Sequence, residues 1–89
     1  MKVFYTKEFA KMFVRLPQDI QHLFAAQEII LKVNWRDPRL HLKKLGGKPV
    51  MFSFRITRAY RAIFYLRASD EITLFAVGHR KDIYRKSRR

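Results

Sequence analysis

The spacing of apolar residues changes once along this chain, and the change limits the folds that it can adopt. Between residues 9 and 31, apolar side chains recur every three or four positions, which is the spacing of one face of an α-helix. Residues 50–57 instead alternate apolar and polar, the period of a half-buried strand. Thr6 suits a helix N-cap, and Pro17 divides the helical stretch in two. The pattern predicts a helical hairpin followed by strands.

Four segments have the composition of strands: residues 3–5, 50–57, 60–67 and 72–78. The passage between the second helix and residue 50 contains turn signals, Asp37-Pro38 and Gly46-Gly47, and we expect it to be irregular. The order β-α-α-β-β-β predicts an α+β fold, in which a two-helix hairpin packs on one face of an antiparallel four-stranded sheet. We see no linker or repeat, so we expect residues 1–89 to form a single domain.

The charge of the chain points to polyanionic or acidic partners. It has 89 residues, a formal net charge of +13 and no cysteine, so neither disulfides nor thiolate-bound zinc can stabilise it. Thirteen of its 20 Lys and Arg residues, but only three of its seven carboxylates, lie between residues 40 and 89. No apolar run approaches the ~20 residues that span a bilayer. We therefore expect a cytoplasmic protein without a membrane partner.

The face of the sheet away from the helices is predicted to carry a cluster of cations. If Phe52 and Phe54 face the helices, Arg55 points the other way, and a hairpin centred near residue 58 places Arg61 opposite it. The next turn brings Arg61 level with Gly78 and His79. We expect Arg55, Arg61, His79 and Arg80 to converge on one end of the uncovered face. Taken one at a time, these arginines fit ordinary solvated surface residues. A bound anion, however, would relieve the repulsion between the opposed Arg55 and Arg61.

Other kinds of site have little support. His22, His41 and His79 lack ligand-like spacing, and the seven carboxylates form no tight cluster, so we expect no metal and no cofactor. No serine lies in a nucleophile elbow, and Gly46-Gly47-Lys48 lacks the spacing of a P-loop.

Cleavage of RNA without metal fits the candidate residues better. The ribose 2′-OH is then the nucleophile, and the protein supplies a base, an acid and cations for the transition state. Histidine is the most common general base in proteins, so His79 is a candidate base, and Tyr84 would orient substrate or share proton transfer. Arg61 and Arg80 would stabilise charge. The structural alternatives are a surface histidine and a tyrosine that docks the C-terminal segment on the core.

Several of these segments also resemble the RelE/ParE superfamily of toxins from type II toxin–antitoxin systems. The resemblance runs nearly end to end and is most specific in two late segments. The segments are Asp37-Pro38-Arg39-Leu40 with Leu42-Lys43-Lys44-Leu45-Gly46-Gly47, Phe54-Arg55-Ile56, Tyr60-Arg61-Ala62-Ile63-Phe64-Tyr65, and Val77-Gly78-His79-Arg80-Lys81-Asp82-Ile83-Tyr84-Arg85.

The resemblance implies a RelE-like microbial RNase fold and a ribosome-dependent mRNA endonuclease of the RelE branch, which inhibits translation, uses no metal and is silenced by an antitoxin. Arg61, Arg80 and Tyr84 match catalytic positions, whereas the place of His79 holds lysine in some relatives and a histidine base in others. Ser53 departs from the pattern, because a second basic residue is common there. The predicted catalytic residues are Arg61, His79, Arg80 and Tyr84, and the predicted RNA-binding residues are Lys43, Lys44, Lys48, Arg55, Lys81 and Arg85.

Two other functions stay open at this point: a ParE-like inhibitor of DNA gyrase, and an RNA-binding module without turnover. The expected partners are the ribosome with its rRNA, mRNA, and a cognate antitoxin with an acidic or amphipathic segment, in a hetero-oligomer. Whether His79 or Tyr84 is the base is also open.

Overall fold

The computed structural model describes residues 1–86, with side chains as far as Tyr84. Helix α1 spans Lys7–Phe13 and α2 spans Gln18–Val33, and a short 3-10 turn follows at Pro38–Leu40. The strands are β1 (Lys2–Tyr5), β2 (Lys43–Gly46), β3 (Met51–Arg55), β4 (Tyr60–Ala68) and β5 (Glu71–His79), and a third helix, α3, spans Arg80–Lys86. No helix within the described residues is long and apolar enough to cross a membrane.

The sheet corrects the prediction of four antiparallel strands. It has five strands in the order β1-β5-β4-β3-β2, and β1 runs parallel to β5 while the other neighbours are antiparallel. The unexpected strand β2 lies in the passage predicted to be irregular. Its backbone pairs with β3, and Gly46 and Gly47 adopt φ angles of +84° and +97° where the chain turns back. Lysines on such an outer strand are common because they discourage pairing with other chains.

The helical hairpin packs on one face of the sheet, as predicted. Thr6 caps α1 through its hydroxyl, which accepts a hydrogen bond from the backbone N–H of Phe9 at 3.1 Å. Tyr5 on β1 donates a hydrogen bond to the carboxylate of Glu28 on α2, and burial together with this bond raises the pKa of Tyr5. The main core consists of Phe9, Leu16, Ile20, Phe24, Leu31, Leu40, Phe54, Ile56, Ala62, Phe64, Ile72, Leu74 and Val77.

The opposite face is partly covered by α3, a helix that the sequence-based fold did not include. Ile63, Ala76 and Ile83 are buried there in a second apolar cluster, against which Tyr84 packs. Gly78 allows this close approach, because a Cβ atom at that position would lie 2.8 Å from Cγ2 of Ile83. Helix α3 is therefore folded back over the face that was expected to be open.

Candidate functional site

Arg61 lies in the middle of the candidate site, on β4. It pairs with Arg55 on β3 and with Gly78 on β5, which is the predicted register. Its Nε donates to Oγ of Ser53 at 3.0 Å, and its Nη2 donates to the carbonyl oxygens of His41 at 2.6 Å and Ser53 at 3.3 Å. Its side chain is largely buried, with 9% of the residue exposed. These contacts hold the guanidinium in a defined position.

The electrostatic surroundings of Arg61 are unfavourable to its charge. Burial lowers the pKa of its guanidinium; Tyr84 opposes that effect, and the nearby Arg55 adds to it. An arginine nevertheless stays protonated at neutral pH, because its ordinary pKa lies above 12. The site therefore holds a fixed positive charge that the protein interior solvates poorly.

Arg55 adds a second cation directly across the strand pair from Arg61. Like charges in that position destabilise a sheet. In addition, the Nε atom of Arg55 is buried and has no hydrogen-bond partner among the described residues. A buried donor without an acceptor calls for an explanation, and a bound anion would supply the acceptor and relieve the repulsion together.

Tyr84 reaches the same place from α3. Its hydroxyl lies 3.1 Å from Oγ of Ser53, and Nζ of Lys43 lies 5.4 Å from the centre of its ring, within the range of a cation–π contact. Lys43 is also the residue of β2 that pairs with Ser53. The structure therefore brings together Lys43, Ser53, Arg61 and Tyr84, all of them on the face of the sheet that α3 covers.

Ser53 is the member of this cluster that sequence reasoning missed. It was noted as a departure from a basic position and was not counted among the site residues, yet it is fully buried and contacts both Arg61 and Tyr84. A signal was present in the sequence, because a serine between Phe52 and Phe54 on a strand must face the side that carries the arginines.

His79 is separated from the cluster, contrary to the expected convergence. It pairs with Tyr60, and its ring meets the Tyr60 ring edge-on at a centroid distance of 5.5 Å. Its Nδ1 accepts a hydrogen bond of 3.2 Å from the backbone N–H of Lys81. The ring lines a cavity of about 230 Å³ beside Met12 and Leu16 of the helical side. Because Gly78 shares a face with Arg61, the next residue of the strand points to the other face.

Four of the remaining predicted residues, Lys44, Lys48, Arg80 and Lys81, are exposed at the surface. Arg80 and Lys81 begin α3 with exposed side chains, and the backbone N–H of Arg80 donates to the carbonyl of Ala59 at 2.7 Å. Lys44 is exposed on β2, and Lys48 is exposed in the turn before β3. Arg85 belongs to α3, but its side chain lies outside the described part of the chain. Within residues 1–86, no three histidine, aspartate or glutamate side chains are grouped so that they could hold a metal ion.

Comparison with solved structures identifies the fold. The chain superposes on the RelB-RelE antitoxin–toxin complex of Methanococcus jannaschii with a TM-score of 0.75 and 25% identity, covering 93% of this chain and 96% of that one. For the archaeal RelE-RelB complex of Pyrococcus horikoshii the TM-score is 0.74, with 21% identity and coverage of 91% and 96%. For the isolated E. coli RelE toxin the TM-score is 0.70 and the identity is 15%, and the match covers 97% of this chain and 93% of that one. No protein-family model and no curated protein sequence matches the chain.

Proposed function

We propose that this chain, which has the RelE-like toxin fold, is the toxin of a type II toxin–antitoxin pair and cleaves mRNA on the ribosome. The observation that carries the proposal is the opposition of Arg55 and Arg61, with the unpartnered buried Nε of Arg55 beside them. Two opposed arginines do not stabilise the sheet unless an anion binds between them. The phosphodiester of RNA is an anion of the right geometry for guanidinium groups.

The proposed reaction is an attack by the ribose 2′-oxygen on the adjacent phosphorus. The new O2′–P bond forms while the P–O5′ bond breaks, which leaves a 2′,3′-cyclic phosphate and a free 5′-hydroxyl. The proton of the 2′-OH passes to a base, and the departing 5′-oxygen receives a proton from an acid. Because the substrate provides the nucleophile, the reaction requires no metal and no nucleophilic side chain.

The residues near Arg61 suggest how these roles are divided. Arg61 and Arg55 would bind the phosphate and stabilise its added charge in the transition state, with Arg80 as a further cation. Tyr84 lies within the cluster and is our candidate for proton transfer. His79 is still a predicted catalytic residue, but its position on the other face favours Tyr84. Since Arg61 is largely buried, contact with a phosphate requires a local shift of its neighbours.

The partners and location follow from charge and fold. The net charge of +13 suits a ribosomal surface made of rRNA, and Lys43 is exposed at the candidate site, while Lys44, Lys48 and Lys81 are exposed elsewhere on the described surface. Two of the solved structures that share the fold are complexes with RelB, so we propose a cognate antitoxin that forms a hetero-oligomer with this chain. We further propose that residues 1–89 act as one domain in the cytoplasm.

The test is cleavage of a defined mRNA on programmed ribosomes by purified wild-type protein and by Arg61→Ala. We expect wild type to cut and the variant to lose about 100-fold or more in rate, the cost of removing one donor to a developing oxyanion. Arg67→Ala is the matched control, because Arg67 lies near the opposite end of β4 and pairs at the surface with Glu71. Equal cleavage by wild type and Arg61→Ala would contradict the proposal.

The same variants separate the two other functions. One solved structure with this fold is described as a YoeB/ParE toxin from Agrobacterium tumefaciens, at 15% identity and a TM-score of 0.73. Inhibition of purified DNA gyrase by both wild type and Arg61→Ala, without mRNA cleavage, would identify a gyrase inhibitor. Binding of ribosomes without any cleavage would identify an RNA-binding module.

A further inference from the structure

We infer that Ser53 is a positioning residue of this site, whose hydroxyl fixes Arg61 and Tyr84 relative to each other; the inference rests on the proposed function. Ser53 lies in the middle of β3, and none of its surface is exposed. A fully buried hydroxyl needs hydrogen-bond partners, and here both partners are proposed catalytic groups.

The direction of one of these bonds follows from the chemistry of the side chains. A guanidinium N–H can only donate, so the 3.0 Å contact from Nε of Arg61 uses a lone pair of the serine oxygen. The serine hydroxyl keeps its own proton and a second lone pair for the hydroxyl of Tyr84 at 3.1 Å. The three groups therefore form a continuous chain, in which a charged donor polarises the hydroxyl that meets the tyrosine.

The chain of bonds also joins two separate elements. Arg61 belongs to β4, where Nη2 also donates to the carbonyl oxygen of Ser53, so the backbone and the side chain of residue 53 both hold the guanidinium. Tyr84 belongs to α3, which has only two turns. A helix of that length depends on contacts with the rest of the protein for its position. The serine hydroxyl is thus a point at which the sheet sets the location of the tyrosine relative to the arginine.

Lys43 supplies positive charge next to Ser53, so position 53 can be a serine even though the cluster is proposed to bind an anion. It is the neighbour of Ser53 on β2, and its ammonium lies over the Tyr84 ring. The positive charge on that side of the site comes from the exposed edge strand, where water solvates it at little cost. Position 53 itself is fully buried, so a hydroxyl is far less costly there than a third cation beside Arg55 and Arg61.

The experiment is a double-mutant cycle with Ser53→Ala and Tyr84→Phe in the programmed-ribosome cleavage assay. We expect Ser53→Ala to lower kcat by about 10- to 100-fold, because a displacement near 1 Å has a cost of that order, while KM for ribosomes stays unchanged. The loss caused by Ser53→Ala should be clearly smaller when Tyr84→Phe is already present, because residues that act as a unit are not additive. Ser53→Thr, which keeps the hydroxyl, should recover most of the rate.

Thr73→Val is the control, since Thr73 is a buried hydroxyl residue of β5 that pairs with Phe4 and Tyr65, away from the site. It should leave kcat within about twofold, as a change outside the site makes no contact with the reacting groups. If Ser53→Ala does not fold, Ser53→Cys replaces it in the cycle, because a thiol is close in size but bonds weakly.

The outcomes separate this inference from the function on which it rests. Wild-type protein that fails to cut would overturn both. Wild-type protein that cuts, with a folded Ser53→Ala or Ser53→Cys that cuts equally fast, would overturn only the role of Ser53. Losses that multiply independently in the cycle, or an equal loss in Thr73→Val, would show that the serine is merely structural.

Discussion

The hydrogen bonds that hold Arg61 end on a hydroxyl and on backbone carbonyls, all of which are neutral acceptors. A carboxylate in their place would have cancelled the positive charge. Neutral acceptors position the guanidinium while its charge stays available to an incoming anion. Arg39 shows the contrast, because it forms a bidentate pair with Asp37 and lowers the pKa of that carboxyl to about 2. The acceptors of Arg39 therefore neutralise its charge, whereas those of Arg61 do not.

Arg55 should reduce the stability of the free protein while it contributes to activity. We expect Arg55→Met, which keeps an unbranched apolar stem but removes the charge and the buried donor, to raise the free energy of unfolding by about 1 kcal/mol. The same variant should cut mRNA more slowly. Urea unfolding at low and high salt measures the first effect, and the gain should shrink at high salt because repulsion is screened.

Arg67→Met is the matched control for that measurement, since its guanidinium is more than half exposed and lies over the Phe4 ring. Its stability should change by less than about 0.5 kcal/mol. A folded Arg55→Met that is less stable than wild type would show that Arg55 has a partner within the protein and needs no anion.

The positions of individual residues could be predicted where the strand register determines them. The pairing of Arg55 with Arg61 and of Arg61 with Gly78 followed from turn positions and alternation, and it is confirmed. His79 does not lie on the expected face, because Gly78 pairs with Arg61 and alternation along the strand turns the next residue toward the helical side. The burial of Ser53 depends on α3, which the sequence-based fold lacked.

At the level of elements, the sequence was informative where burial is periodic. Helices α1 and α2 were predictable because one face of each lies in the core. Strand β2 was not, since an edge strand is held by backbone hydrogen bonds and its side chains, Lys43 and Lys44, are exposed. Helix α3 was missed for a related reason: among its described side chains, residues 80–84, only Ile83 is fully buried, too little for a periodic signal.

The packing of α3 on the sheet gives a prediction at this scale. Gly78→Ala places a methyl group 2.8 Å from Cγ2 of Ile83, so the helix must move. We expect a loss of about 1–3 kcal/mol in stability and faster hydrogen exchange in α3, as in other overpacked sites. Cleavage should fall as well, because Tyr84 moves with the helix.

Ile83→Ala provides the control for that clash, because it removes the opposing Cγ2 atom. In the double variant, Gly78→Ala should cost much less than it does alone. Additive losses would mean that the glycine is required for another reason and that α3 does not depend on this contact.

For the molecule as a whole, the positive charge should dominate association with the ribosome. Binding that releases counterions gives a linear fall of log K with log salt, by about 0.7–0.9 per phosphate contact. We expect the double variant Lys43→Ala/Lys44→Ala, which removes two charges from the edge strand β2, to reduce the slope by roughly 1–2. Lys7→Ala/Lys11→Ala removes the same charge from α1 and should change the slope much less. Equal changes of the slope in the two double variants, or a flat salt response of wild type, would contradict ribosome binding through the β2 edge of the sheet.

We propose that the protein positions an RNA phosphate for attack by the adjacent ribose 2′-oxygen. Removal of this one oxygen from the substrate tests the proposal most directly. Two messages are placed on ribosomes, identical except that one carries a 2′-deoxy sugar on the 5′ side of the bond that wild-type protein cuts. We expect the all-ribose message to be cut there to a 2′,3′-cyclic phosphate, and the deoxy message to stay intact at that bond. Cleavage of both messages at equal rates would contradict it.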